Sequence, residues 1–348
     1  MKKFKILGFL LIFVLLTNSC YKKDQERSDF FYLKNKNVFL PVWVKGNFEA
    51  PQVIIMVHGG PGGDDGVYMN LPVFKDLERK YLMVYYDQRG SGASQTTFFL
   101  TEYTADDHVN DLEKLVQLIQ EKYGQNKTLQ LLGHSWGAML SGLYLQSGRN
   151  RSLIKGWINT DGSYQTIDRA EYDALKMTAN QQISLGNSHS FWEGVLKDLA
   201  KIDPENLSLM DLSKINSLGF KAENVLRSDD VIKGSQGFDS YNYFFNSAYH
   251  PGIYALNELF INTLMFQQAY KDNLGLEAKI TNIKTPTCLL WGTYDLVVAS
   301  STLGALKEKL GNLIVLDMLF EASGHSPMIS EPDSYLTAMN LCMERFIP

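Results

Sequence analysis

Residues 128–146 read TLQLLGHSWGAMLSGLYLQ. The first five are a short apolar run of β-forming character, and 138–147 follow a helical pattern. Between them Gly133-His134-Ser135-Trp136-Gly137 has the spacing of a nucleophile elbow, a sharp strand-to-helix turn that exposes a serine oxygen. Glycines suit its two ends because side chains there would collide with the neighbouring strand and helix. The serine is left in a sparsely populated backbone region. Such a pentapeptide also arises by chance, so Ser135 is a nucleophile only if the chain supplies a base, an acid and an oxyanion site in order.

Outward from that turn, the same form repeats. Apolar runs at 53–57, 81–86, 155–162, 285–292 and 313–318 are each short and mostly unbroken by polar alternation, as strands covered on both faces are. Helical patterns separate them, at 105–123, 302–310 and 333–345. In the first, Val109, Leu112, Leu115, Val116 and Ile119 fall on one face. Strands alternating with helices predict an α/β fold with a mostly parallel central sheet, whose ligands bind at the carboxyl ends of the strands. From 163 to 276 no strand is evident. Aromatic amphipathic pieces such as SFWEGVLKDLAKI, SYNYFFNSAYH and ELFINTLMFQQAY predict a helical cap inserted between two core parts, 31–162 and 277–348.

Composition narrows the class. The 348 residues are 45% hydrophobic and 20% charged, with a net charge of −5 and no basic stripe, which argues against nucleic acid as a partner. The N-terminus, MKKFKILGFLLIFVLLTNSC, has three lysines, an apolar run from Ile6 to Leu16 and then small or polar residues. Eleven helical residues span about 16 Å, half of a hydrocarbon core of about 30 Å. Residues 1–20 are therefore expected to be a secretory signal rather than a membrane span. LTNSC resembles a bacterial lipobox, which implies lipidation of Cys20, an envelope location with outer-membrane sorting, and a solvated linker over 21–30. Thr17 and Asn18 depart from the commonest lipobox, and a plain cleaved signal is the alternative. Cys288 and Cys342 each sit in an apolar segment and are expected to be buried small hydrophobes rather than a disulfide. No cysteine–histidine cluster has metal-ligand spacing.

Chemistry enters at the strand ends. A serine hydroxyl is a weak nucleophile and needs a base; EASGHSPMISEP supplies His325 just past the last predicted strand. The base needs an acid to fix its tautomer; LLWGTYDLVV supplies Asp295. Each residue alone has a bland explanation as a surface histidine, a turn aspartate or a helix-start serine. Ser, then Asp, then His, each at a strand's carboxyl end, is the catalytic order of α/β-hydrolases. Oxyanion donors are expected from the backbone N–H of Trp136 and from HGGPGG, with Gly60 first and Gly59 second. His58 is expected to hold that loop rather than to react.

HGGPGG (58–63), YDQRGSGAS (86–94), GHSWGAML and the pair WGTYDLVV and SGHSPMISEP together resemble the proline iminopeptidase (prolyl aminopeptidase) branch of the α/β-hydrolases, over roughly 50–160 and 283–348. The resemblance implies an α/β-hydrolase fold with a helical cap, no cofactor, and a bracing role for Asp87 and Arg89. His134 departs from that branch, whose elbow usually has glycine there. Acidic cap residues of the family hold the substrate's free ammonium, and WEG nominates Glu193. The second acid is not clearly present, since FDSYNYFF offers only Asp239. Phe191, Trp192, Tyr241 and Phe244 suggest an apolar pocket, with plain packing inside the cap as the commoner role of such residues.

The expected activity is that of a serine aminopeptidase removing the N-terminal residue of short peptides. A carboxylesterase or lactonase on the same triad is the alternative, since it needs no ammonium anchor. A non-enzymatic binding lipoprotein is a third, disfavoured because a binding protein has no need of an elbow. Epoxide hydrolysis and dehalogenation are disfavoured by serine at position 135.

Overall fold

Strand β3, Gln52–Val57, is buried at all six positions, and alternation along it divides the interior. Val53, Ile55 and Val57 join one apolar cluster, Ile54 and Met56 another on the opposite face. The computed structural model describes residues 27–95, 103–162, 169–234 and 280–347. Around β3 lie β1 (Ser28–Asn35), β2 (Val38–Gly46), β4 (Leu82–Tyr86), β5 (Thr128–His134), β6 (Ile154–Thr160), β7 (Thr287–Gly292) and β8 (Ile314–Phe320). They form one eight-stranded sheet ordered β1-β2-β4-β3-β5-β6-β7-β8. β1, β2 and β4 pair antiparallel; every pairing from β4–β3 to β7–β8 is parallel. This is the α/β-hydrolase fold.

Helices cover both faces. The first cluster packs α2 (Ala105–Tyr123), α3 (Trp136–Ser147) and α7 (Thr302–Leu310); the second packs α1 (Pro72–Lys80) and α8 (Pro332–Arg345). α2 begins where Thr104 accepts the Asp107 N–H, with Asp106 and Asp107 in the first turn favouring its positive end. Its buried face carries Leu112, Leu115, Val116 and Ile119, each contributing roughly 1.5–3 kcal/mol of burial.

Several expectations change. The antiparallel hairpin β1–β2 was not anticipated, and β1 begins at Ser28, so residues 28–30 belong to the sheet and not to the expected linker 21–30. Its two-residue loop is Lys36-Asn37, with Lys36 at φ 54°, and lacks the glycine that announces a tight turn. Cys288 of β7 and Cys342 of α8 are joined in a disulfide, which corrects the expectation of two free cysteines. Both are fully buried, as expected, but in the same cluster and with Cα atoms 6.1 Å apart.

The described part of the 163–276 insertion is helical: α4 (Arg169–Leu185), α5 (His189–Leu199) and α6 (Leu209–Ser228). α6 opens with a capping box between Ser208 and Asp211. Tyr172, Leu175, Trp192, Val195, Ile215, Leu218 and Ala222 make a separate apolar cluster, joined by Leu296 from the loop after β7. The cap is thus packed directly on the loop that carries Asp295. Residues 1–20, Cys20, Asp239, Tyr241 and Phe244 lie outside the described residues.

Candidate active site

Ser135 sits between β5 and α3 at φ 56°, ψ −125°, in the positive-φ half of backbone space that an L-residue rarely adopts. Its N–H donates to the Thr160 carbonyl of β6 at 3.0 Å, which pins the turn to the sheet. A side chain at Gly137 would strike the Val57 carbonyl oxygen, so α3 can start this close to β3 only with glycine there.

The three residues nominated at separate strand ends meet. Ser135 Oγ is 2.8 Å from His325 Nε2, and His325 Nδ1 is 2.9 Å from Asp295 Oδ2. Nδ1 faces a carboxylate and so carries the hydrogen, leaving Nε2 as the acceptor for the serine hydroxyl. Asp295 Oδ1 accepts the N–H groups of Val297 at 2.9 Å and Val298 at 2.8 Å. Burial alone would lower the His325 pKa, but the Asp295 charge, its hydrogen bond and the Glu223 charge together hold it above the usual 6.5.

On the oxyanion side, the N–H groups of Gly60 and Trp136 donate to nothing among the described residues. Gly59 is different, and its nomination is corrected. Its N–H donates to the Tyr68 hydroxyl at 3.1 Å, so it has no free donor to offer. The loop nevertheless abuts the serine, since a Cβ built on Gly59 would lie 3.4 Å from that of Ser135.

The bracing expected of His58, Asp87 and Arg89 takes a definite form. Gln88 N–H donates to His58 Nε2 at 3.0 Å, so His58 Nδ1 carries the hydrogen and donates to the Gly59 carbonyl at 2.7 Å. Burial pushes the His58 pKa down to about 4, so the ring is neutral at neutral pH. Gln88 also donates to the His58 carbonyl and accepts from the Trp136 indole, tying both prospective oxyanion segments together. Asp87 accepts the N–H groups of Asp65 at 3.0 Å and Ala93 at 2.7 Å. Arg89 is buried in a two-pronged pair with Asp111 of α2, at 2.7 and 2.8 Å.

His134, the departure at the elbow, makes a connected chain. Its Nε2 faces the His325 carbonyl at 2.7 Å and must donate; its Nδ1 therefore accepts from the Tyr68 hydroxyl at 2.7 Å. Gly59 N–H, Tyr68, His134 and the His325 backbone form one line of hydrogen bonds from the glycine loop to the base. Burial, reinforced by nearby His325, lowers the His134 pKa to about 3 and keeps it neutral.

The cap nominations fare differently. Glu193 is exposed on α5 and lies 3.5 Å from His189, with no hydrogen bond or ion pair to a triad residue. Trp192 is buried in the cap's own cluster against Phe191 rather than lining the site. Three residues not singled out from the sequence do reach the triad. Phe220 of α6 is half exposed and stands edge-on to the His325 ring, centroids 6.0 Å apart. Asp161, at φ 46° after β6, accepts the Gly292 N–H at 2.8 Å; burial and the neighbouring Asp295 charge keep it protonated well above the usual carboxylate range. Glu223 of α6 accepts the N–H groups of Leu296 and His325, in the loops that carry Asp295 and His325. The one sequence signal was Asp161-Gly162 at a strand end, which reads as an ordinary turn. Among the described residues no cluster of histidine, cysteine and acidic side chains could hold a metal ion.

Residues 52–182 match a family model described as the alpha/beta hydrolase fold. The chain is 22% identical over 297 residues to the probable aminopeptidase YbaC of Bacillus subtilis, covering 83% of this chain and 87% of that one. It is 24% identical over 291 residues to a proline iminopeptidase of Saccharolobus solfataricus, covering 81% and 82%. Among solved structures, a proline iminopeptidase-related protein from Thermus thermophilus aligns with a TM-score of 0.58 at 18% identity, covering 92% and 99%. An esterase from Exiguobacterium antarcticum aligns with a TM-score of 0.53 at 16% identity, covering 89% and 97%.

Proposed function

For a chain with the α/β-hydrolase fold that resembles the proline iminopeptidases, we propose a serine aminopeptidase that releases the N-terminal residue of short peptides. The carrying observation is the hydrogen-bonded line Ser135–His325–Asp295, with the N–H groups of Gly60 and Trp136 unengaged among the described residues. Ser135 Oγ attacks the scissile carbonyl carbon as His325 Nε2 takes its proton. The resulting oxyanion is held by the N–H groups of Gly60 and Trp136, each such donor contributing about 3 kcal/mol to the transition state. His325 then gives the proton to the leaving amine, the C–N bond breaks, and an ester to Ser135 remains. Water attacks that ester with its proton passing to His325 and on to the serine oxygen, which frees the acid. Asp295 fixes the imidazole and stabilises its cation.

The aminopeptidase choice rests on the named relatives. Glu193 is a poor ammonium anchor as it is placed, and Asp239 belongs to a stretch outside the described residues. The apolar wall offered by Phe220 suits an esterase equally, so substrate preference is the point to test. Hydrolysis of Pro-, Ala- and Leu-β-naphthylamide should be compared with N-acetylated versions and p-nitrophenyl acetate, for wild type and Ser135→Ala. Cleavage limited to free-amine amides and lost in the variant supports the aminopeptidase; activity on the ester alone replaces it with the esterase.

The chain is further proposed to be exported and anchored by a lipid at Cys20. The disulfide between Cys288 and Cys342 supports an oxidising compartment. Fatty-acid labelling of wild type but not of Cys20→Ala is the expected result; equal labelling would remove the anchor.

A further inference from the structure

Helix α6 carries a carboxylate into the middle of the site. Glu223 is buried, and both its oxygens are engaged by the loops that bear Asp295 and His325. Leu296 N–H donates to Oε1 at 3.0 Å and His325 N–H to Oε2 at 3.0 Å. Contact is close on both sides. A Cβ on Gly219, one turn earlier, would strike the Leu296 carbonyl oxygen, and one on Gly324 would strike the Glu223 carboxylate itself.

The loop after β7 presents four successive N–H groups, and all go to carboxylates. Leu296 donates to Glu223, Val297 and Val298 to Asp295, and Ala299 to Glu171 of α4 at 3.3 Å. Two of these three acids come from the cap. The position of Asp295 is therefore set from both sides, and Glu223 ties its loop to the loop of His325 beside the backbone bond from the Tyr294 N–H to the Ser323 carbonyl at 2.9 Å.

We propose that Glu223 is a positioning residue of the triad: by accepting the N–H groups of Leu296 and His325 it fixes Asp295 and His325 relative to each other and ties catalysis to a docked cap. The proposal rests on the serine-hydrolase reading of Ser135 but not on the choice of substrate. Its charge also acts on the base, since Glu223 is one of the groups that raise His325. The ionisable groups that share this space are Asp295, Asp161 and His325, with Glu331 holding Ala322 and Ser323 on the far side of the histidine loop. Burial, followed by the Asp295 charge, pushes Glu223 itself up to about 7.

The test is the rate at which a fluorophosphonate labels Ser135, followed from about pH 5 to about pH 9 in wild type, E223Q and E223D. A glutamine amide accepts through one atom only, so one loop N–H would face another donor. E223Q should lower the plateau rate about tenfold or more, as small misplacements of catalytic groups do. With the anion gone, its acid limb should also move to lower pH. E223D keeps the charge but is too short to reach both loops, so it should lose rate without moving the limb. An E223Q plateau and limb equal to wild type overturn the proposal. A lower rate with an unmoved limb assigns Glu223 to stability alone and overturns it too. If E223Q gives no cooperative melt, an E223D rate equal to wild type overturns it instead. Unlabelled wild type would remove the hydrolase reading, and the proposal with it.

Discussion

Ser135 and His325 show how little of a residue's chemistry lies in its identity. The chain has six histidines, and three of those near the site, His58, His108 and His134, are pushed by burial toward the neutral form. His325 is as deeply placed, yet its pKa is held above 6.5 because Asp295 and Glu223 oppose the desolvation. The neutral imidazole is the form that can accept the serine proton. Activity should therefore fall as pH drops through a midpoint above 6.5, and the acid limb of kcat/KM reports it. Asp295→Asn removes the main group that raises the base, so the limb should move to lower pH while the rate falls about 10⁴-fold. A limb that stays in place in that variant would dissociate Asp295 from the titration. Ser135, Asp295 and His325 were legible because strand ends and chain order pointed to them. Glu223 and Asp161 were not, since a glutamate inside an amphipathic helix and an aspartate before a glycine have ordinary explanations.

At the scale of elements, the parallel strands were legible because burial on both faces leaves unbroken apolar runs, and α2 because its buried face repeats at helical spacing. The β1–β2 hairpin was hidden for the same reason inverted. As an edge pair it leaves Phe30, Tyr32 and Phe39 exposed, so its pattern is neither a buried run nor a clean alternation with polar residues. For Asp87 and Arg89 the resemblance implied a bracing role, and the structure supplied the partners. Arg89 joins the β4 end to α2 through Asp111, which Asn35 of β1 also contacts. Arg89→Ala would leave the Asp111 carboxylate buried without its cation, and should lower the free energy of unfolding by about 3–5 kcal/mol. Arg89→Lys should recover only part of that, because an ammonium cannot reproduce the two-pronged geometry. Chemical denaturation of the three proteins checks both expectations, and a loss under about 1 kcal/mol in Arg89→Ala would show the pair to be dispensable.

Across the whole molecule, the disulfide closes a long loop. Cys288 and Cys342 are separated by 54 residues and join strand β7, next to the sheet edge, to helix α8. Loop closure of that length restricts the unfolded chain by about 4 kcal/mol at room temperature. Urea unfolding with and without reductant should differ by about that amount, and coincident curves would mean the bridge adds nothing. The sequence by itself determined the alternating α/β architecture, the burial of both cysteines, and the Ser135, Asp295 and His325 positions, because hydrophobic period and strand-end turns are local properties. Only the tertiary structure decided that the two cysteines meet, that the Gly59 N–H is engaged by Tyr68 while the Gly60 N–H has no partner among the described residues, that Glu193 faces solvent, and that Glu223 reaches the triad. Those outcomes depend on which segments the sheet order and the docked cap bring together, and contacts between residues distant in the chain leave no periodic trace along it.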